Sequence, residues 1–350
     1  MSFLSEMRQR YPEVVNSLLT ARANGRLAHS FMIISESEVT RRDFAVLLAQ
    51  IAACPAPLPS GEPDLNCPVC RALAKGNYAD LHSLAPVGKM YQIRVGELVN
   101  PEPNTVRAFM NGLYLTGSTA GGKVGIVHEA DRMNSESQNA LLKTLEEPPR
   151  ETTLILCTAN PGALLPTTRS RCQQLRLPDH GSIYDFAGKK EVVNAMHELI
   201  FNGVNDPARA ENAAAALIRV AEHLEADAAE EVGDRFDEAI IAAENAGDNA
   251  LRKRLETRKN DEISGAFMRC RTKFLGVINA CCAQVFMLSC GVSPADLPHP
   301  ELREGLSPLP MTTPERGEYV LRHAEELCRT LNYNVNLELA LRTFALQLAL

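Results

Sequence analysis

Between Lys123 and Cys172 the apolar residues change rhythm twice. Val124, Gly125, Ile126 and Val127 form a short continuous run that ends in His128, Glu129 and Asp131. Such a run predicts a buried parallel strand delivering acidic groups at its C-terminal end. Ser135 to Leu145 then carries helical spacing, with Ala140, Leu141, Thr144 and Leu145 on one face, and Pro148 and Pro149 stop it. Thr153 to Cys157 is a second apolar run, ending at Thr158 and Asn160. Strand, helix and strand with short connections predict a βαβ unit, whose functional groups belong at the C-terminal edge of the strands.

Upstream, Tyr11 to Asn24 predicts an amphipathic helix with the stripe Val14, Val15, Leu18 and Leu19, ended by Gly25. Phe31 to Ile34 reads as a buried strand, Phe44 to Ala53 as a helix, Ala79 to Leu84 and Tyr91 to Val95 as strands, and Val106 to Asn111 as a helix. After Leu177 and Pro178 the chain turns rich in alanine and charge. Helices are expected over Glu191 to Phe201, Pro207 to Leu224 and Ala228 to Ala246, with breaks at Asn202-Gly203 and at Asn245 to Asp248. Leu251 to Glu262 is densely charged and reads as a solvated helix face, with a DNA contact as the alternative. A long apolar helix, Ile263 to Cys290, a proline-rich loop, Pro294 to Pro314, and two helices over Arg316 to Asn332 and Asn334 to Leu350 complete the chain.

Two stretches carry candidate chemistry. The segment after the first strand, Ser35 to Asp43, holds no glycine and no lysine, and Glu36 and Glu38 would repel a triphosphate. Ser35, Thr40 and Arg41 are what a phosphate loop would have to use, and nothing in the sequence builds the tight backbone cradle that such a loop needs. Cys67-Pro68-Val69-Cys70 is a Cys-x-x-Cys pair, a knuckle that lets two thiolates grip one zinc ion. The other readings are a degenerate loop with free thiols and a thioredoxin-like redox pair, for which the strand and helix context is wrong. Glu129 and Asp131 could serve Mg²⁺ in an ATPase, but without a phosphate loop the local reading is that they cap the following turn and helix.

The wording of the central segment, HEADRMNSESQNALLKTLEEPP followed by a strand ending in Thr158 and then TTRSRC, resembles the clamp-loader branch of the AAA+ ATPases. Within that branch it is similar to the δ′ subunits of bacterial DNA polymerase III, over about Leu18 to Leu177 and more weakly near Asn336 to Leu341. The resemblance implies an α/β fold: a AAA+, P-loop-NTPase-like parallel sheet over residues 1–177 with a zinc-module insertion at about 54–80. A helical middle or lid region, 178–260, and a helical oligomerisation collar, 261–350, would follow. It further implies that Thr158 and Asp131 are vestiges of a nucleotide site. Arg171, flanked by Ser170 and Cys172, would be the arginine that reaches across a subunit interface to ATP held by a neighbour, a task suited to a fixed planar charge. The family's zinc insertion carries four cysteines. Here the position three before Cys67 is Asp64, so the implied ligand set is Cys54, Asp64, Cys67 and Cys70 around a structural Zn²⁺.

By the same resemblance the chain would bind no ATP and have no ATPase of its own. It would be an accessory, stator-like subunit of a DNA-directed DNA polymerase (nucleotidyltransferase) holoenzyme acting in DNA replication. Its partners would be the ATP-binding γ/τ clamp-loader subunits and the δ subunit in a hetero-oligomer, and indirectly the sliding clamp and primer–template DNA. The alternatives are another AAA+-like ATPase or a scaffold in DNA repair or recombination.

Composition narrows this little further. The 350 residues are 45% hydrophobic and 23% charged, as in an ordinary globular protein long enough for two or three domains. A net charge of −7 argues against a protein that coats DNA, because phosphate binding needs clustered cations. No apolar run approaches the ~20 residues of a membrane helix and Met1 to Arg10 lacks a signal-peptide layout, so a cytoplasmic location is expected. The ten cysteines then point to metal binding or burial rather than to disulfides.

Overall fold

Alternate residues along each central strand point to opposite sides of one sheet, and both sides are covered by helices. The computed structural model describes residues 3–88, 90–115, 117, 121–178, 184, 186–202, 206–303, 312–331 and 336–349. It divides into two units, Met1–His180 and Gly181–Leu350. In the first, α1 (Phe3–Arg10) and α2 (Pro12–Ala23) lead to β1 (Ser30–Ile34), α3 (Glu38–Ala53), a short α4 (Pro68–Ala74) and β2 (Leu81–Leu84). Then come α5 (Val106–Tyr114), β3 (Lys123–Val127), α6 (Ser135–Glu146), β4 (Thr152–Thr158), α7 (Pro166–Arg169) and β5 (Gln173–Arg176).

The strands form one parallel sheet in the order β2-β3-β4-β1-β5, the α/β arrangement expected of a AAA+ core. Phe31 and Ile33 of β1, Val124 and Ile126 of β3 and Ile155 and Cys157 of β4 pack with α1, α2 and α3 on one face. Met32, Ile34, Val127, Leu154 and Leu156 pack with α5 and α6 on the other. Crossovers between parallel strands bring the ends of β1, β3 and β4 to one edge, with Ile34 beside Thr158.

Local differences from the sequence reading have physical causes. Helix α3 begins at Glu38, not at Phe44, because Ser37 caps it: the Ser37 side chain accepts from the Thr40 amide at 3.2 Å. Tyr91 to Val95 is not a strand. Ile93 and Arg94 make single bridges to Met133 and Thr105, and the loop that follows bends through left-handed Asn100 and Asn104.

The second unit is helical: α8 (Lys189–His197), α9 (Pro207–Asn245), α10 (Asn249–Ser289), α11 (Pro314–Thr330) and α12 (Leu337–Ala349). Leu217, Val277, Ile278, Val320 and Phe344 are central to its core. No break occurs between Leu224 and Ala228, because Glu225, Ala226 and Asp227 include no glycine or proline to stop propagation. The charged stretch from Leu251 and the apolar one from Ile263 are likewise one helix, so the expected boundary at residues 260/261 lies inside α10. The turn expected at Asn245 to Asp248 is present, with Gly247 at φ 70°. Gly203, residues 304–311 of the proline-rich loop, and residues 332, 334, 335 and 350 of the two expected final helices lie outside the described residues. Against expectation, part of α10 is long and apolar enough to cross a membrane, with mean hydropathy 1.3. Phe274, Val277, Ile278, Cys282 and Val285 of that helix are buried in the helical core.

Gly125 sets how closely α5 and β4 can approach β3. A Cβ there would lie 2.8 Å from both Leu154 Cδ2 and Phe109 Cζ. Gly125→Val is expected to lower stability by about 1–3 kcal/mol, seen as an earlier urea midpoint of the transition that unfolds the sheet.

Candidate functional site

At the C-terminal end of β1 the chain folds onto itself. Arg41 is buried in the first turns of α3, and its Nη1 donates to the carbonyls of Ser35 at 2.5 Å and Glu36 at 2.8 Å. The Ser35 amide donates to the Thr158 carbonyl at 3.3 Å. A phosphate-binding loop needs amides turned toward an anion. Here a guanidinium occupies the carbonyls of the turn, and Thr40 is buried within the helix.

The acidic group after β3 is equally engaged. Asp131 accepts the Thr158 hydroxyl at 2.5 Å, and Thr158 Oγ1 in turn accepts from the Asn160 amide at 3.0 Å. Glu129 accepts the Tyr91 hydroxyl at 2.5 Å and lies 3.9 Å from Arg132, whose guanidinium also sits over the Tyr91 ring. Both Tyr91 (φ 45°) and Glu129 (φ 47°) are left-handed, a costly conformation for such side chains that their surroundings must hold in place. Neither carboxylate caps the next helix, as the sequence reading had it. Asn134 does so, accepting from the Ser137 amide at 2.8 Å, while Glu129 and Asp131 turn back to Tyr91 and Thr158. His128, half-buried at the same edge, is held down to about 4 by burial and then by the Arg42 charge.

Helix α6 connects this edge to the Ser-Arg-Cys segment. Gln138 is buried, a role that its place three residues before Leu141 on the apolar face could have signalled. Its amide donates to the carbonyls of Met133 and Ala163, and its Oε1 accepts from the Leu165 amide at 2.7 Å, fixing the turn into α7. Just beyond α7, Arg171 donates from Nη1 to the Thr167 carbonyl at 3.0 Å and from Nη2 to Glu146 at 3.1 Å. Ser170 is exposed and bonds to Thr167, whereas Cys172 is buried and burial pushes its thiol up to about 12.

The opposite end of α3 runs into the cysteines. Cys54, Cys67 and Cys70 are brought together with their sulfurs all within 4.8 Å of one another. Tetrahedral zinc thiolates sit about 3.8 Å apart, so a small contraction would let all three ligate one ion. The Cys70 amide donates to Cys67 Sγ at 3.3 Å and the Asp64 amide to Cys54 Sγ at 3.4 Å. Asp64 therefore meets the cluster through its backbone. Its side chain is exposed and is not grouped with the three sulfurs. Burial, then the contact with Cys67, pushes the Cys70 thiol well up, so thiophilic metal binding would have to displace its proton.

Residues 10–181 match the family described as "DNA polymerase III, delta subunit". The chain is 31% identical over 208 residues to the DNA polymerase III subunit delta' of Bacillus subtilis (strain 168), covering 59% of each chain. It is 33% identical over 155 residues to the delta' subunit of Pseudomonas aeruginosa, covering 44% of each. To the tau subunit of Escherichia coli (strain K12) it is 29% identical over 175 residues, 48% of this chain and 25% of that one. The matches thus span less than two thirds of the length of these relatives. The first unit is a AAA+ domain of the clamp-loader class. Within that class, residues 10–181 are similar to the δ′ subunits of DNA polymerase III.

Because the unfolded His128 takes a proton near pH 6.5 and the folded one only near pH 4, the unfolded state binds more protons in between. Stability contributed by neutral His128 is complete above pH 6.5 and is lost as pH falls toward 4. Wild type is expected to lose on the order of 2 kcal/mol more over that window than His128→Asn, read from urea midpoints at stepped pH.

Proposed function

We propose that this chain is a non-hydrolysing, stator-like δ′-type subunit of a bacterial DNA polymerase III clamp loader, acting in DNA replication beside ATP-binding subunits. The observation that carries this reading is the self-filled sheet edge. Arg41 occupies the carbonyls of the turn after β1, and Thr158 and Tyr91 occupy the carboxylates that would hold Mg²⁺ and polarise water. Arg171 supports the complementary role. It lies outside this edge, and its half-exposed guanidinium can act on nucleotide held by another subunit, stabilising charge on the transferring phosphate. The relatives named delta' and tau support γ/τ-type and δ subunits as partners, with the clamp and primed DNA met by the assembly, and a cytoplasmic location follows from that role. The lid and collar assignments of residues 178–260 and 261–350 belong to the same proposal.

For the metal, three thiolates with two amide-to-sulfur bonds suit structural Zn²⁺, and Asp64 would complete the set only if its exposed side chain turned inward. Metal analysis of the purified chain is expected to give about one zinc per chain, and Cys67→Ser to lose it and unfold at lower temperature. A zinc content unchanged by Cys67→Ser would dismiss the site.

Two measurements test the stator. A fluorescent ATP analogue is expected to show no saturable binding to the isolated chain up to about 1 mM. In a complex reconstituted with the γ/τ and δ subunits of the same organism, Arg171→Ala is expected to lower DNA- and clamp-stimulated ATPase by about 10³-fold. Tight nucleotide binding by the chain alone would refute the self-filled edge, and phosphate release from that nucleotide would refute the non-hydrolysing reading. Unchanged ATPase in the mutant complex would leave a scaffold without a trans-acting arginine.

A further inference from the structure

Arg171 is held by two groups of its own chain, and both are fixed to one helix. Glu146 is the last residue of α6, and the position of that helix end is set from outside. The Leu145 carbonyl accepts from Ser30 Oγ at 3.1 Å and meets His29 Nε2 at 3.2 Å, both at the start of β1. Eight residues earlier on α6, Gln138 grips the Leu165 amide and so places the turn that carries Arg171. The carboxylate and the guanidinium are therefore brought together by the frame rather than by mutual attraction. With Nη1 on Thr167 and Nη2 on Glu146, the buried Nε is the guanidinium nitrogen with no hydrogen-bond partner among the described residues.

We propose that Glu146 is a positioning residue that restrains Arg171 in the resting chain and competes with nucleotide phosphates of the neighbouring subunit for its guanidinium. This rests on the trans-acting role of Arg171 proposed above. The side chains of Arg171 and Glu146 are 28% and 58% exposed, so water screens the pair and a phosphate can displace the carboxylate. A phosphate group carries more charge than one carboxylate and offers more oxygens to the planar fork, so exchange runs toward the nucleotide once it is presented. Glu146 thereby sets how much nucleotide is required before the arginine engages. It touches no reacting atom.

The test is a double-mutant cycle on the reconstituted complex, comparing wild type, Glu146→Gln, Arg171→Ala and the double variant in steady-state ATPase across ATP concentration. Glu146→Gln keeps size and hydrogen bonding but removes the charge. It is expected to lower the KM for ATP by about three- to fivefold with kcat changed less than about twofold. That shift should vanish in the Arg171→Ala background, an outcome that general loosening of α6 would not produce. If Arg171→Ala collapses the ATPase while Glu146→Gln leaves KM unchanged or raises it, the restraint is wrong and the arginine role stands. A KM shift that persists without Arg171 also overturns the restraint. If Arg171→Ala itself has no effect, both the arginine role and the restraint fall.

Discussion

The edge where parallel strands end is the place in an α/β domain where polar groups converge and must be satisfied. In a nucleotide-binding sheet the ligand does much of this. In this chain side chains satisfy several of them: Arg41 answers the carbonyls of Ser35 and Glu36, Thr158 answers Asp131, and Tyr91 answers Glu129. Buried polar groups left unpaired are costly, so the loss of a phosphate loop has to be accompanied by groups that close the edge from within. The left-handed backbone at Tyr91 and Glu129 is a local cost that the closed arrangement supports.

Helix α6 converts that closed edge into geometry elsewhere. Its first turn is capped by Asn134 and tied by the Ser137 hydroxyl to the Ile93 carbonyl, its middle carries Gln138, and its last turn is tied to β1. A rigid helix of 12 residues spans about 18 Å, enough to relate the acidic edge to the segment bearing Arg171. Since every one of these attachments is a hydrogen bond to backbone, the helix cannot shift without exposing donors or acceptors. Among these contacts of the Ser-Arg-Cys segment, the pair that Arg171 makes with Glu146 is the one open to solvent screening.

The sheet was legible in the sequence because buried strands leave continuous apolar runs, as in Val124 to Val127 and Thr153 to Cys157, and α6 because its apolar face recurs at helical spacing. The absence of glycine and lysine after Ile34 set the expectation of a degenerate phosphate loop, and in the structure Arg41 bonds the carbonyls of that turn. That contact was not legible, since an arginine on a helix gives no sign in sequence of which carbonyls it will meet. The capping role expected for Glu129 and Asp131 failed for a related reason: their partners, Tyr91 and Thr158, are 38 and 27 residues away in the chain. The helical half resisted division because a charged stretch and an apolar one can share a single helix. Nothing in Glu225 to Asp227 or around residue 260 penalises continuation. Asp64 illustrates the limit of spacing. Its sequence position is compatible with a ligand, and its backbone does reach the cluster, yet its carboxylate faces solvent.

The two unusual regions of the first unit are opposite ends of the same helix. α3 starts at the closed phosphate loop, where Ser37 and Arg41 hold it, and ends at Cys54, the first of the three clustered thiols. In a nucleotide-binding domain, phosphate bound at the start of this helix would help to fix its position. Without it, the far end gains importance. There the Cys54 carbonyl accepts from Arg22 at 2.9 Å, and Gln50 donates to the Cys70 carbonyl at 2.9 Å, which ties α3 to α2 and to the cysteine knuckle. A metal held by Cys54, Cys67 and Cys70 would draw that end together and resist sliding of α3 along the sheet. The knuckle and the arginine-filled turn are then two anchors of one element, at its C-terminal and N-terminal ends.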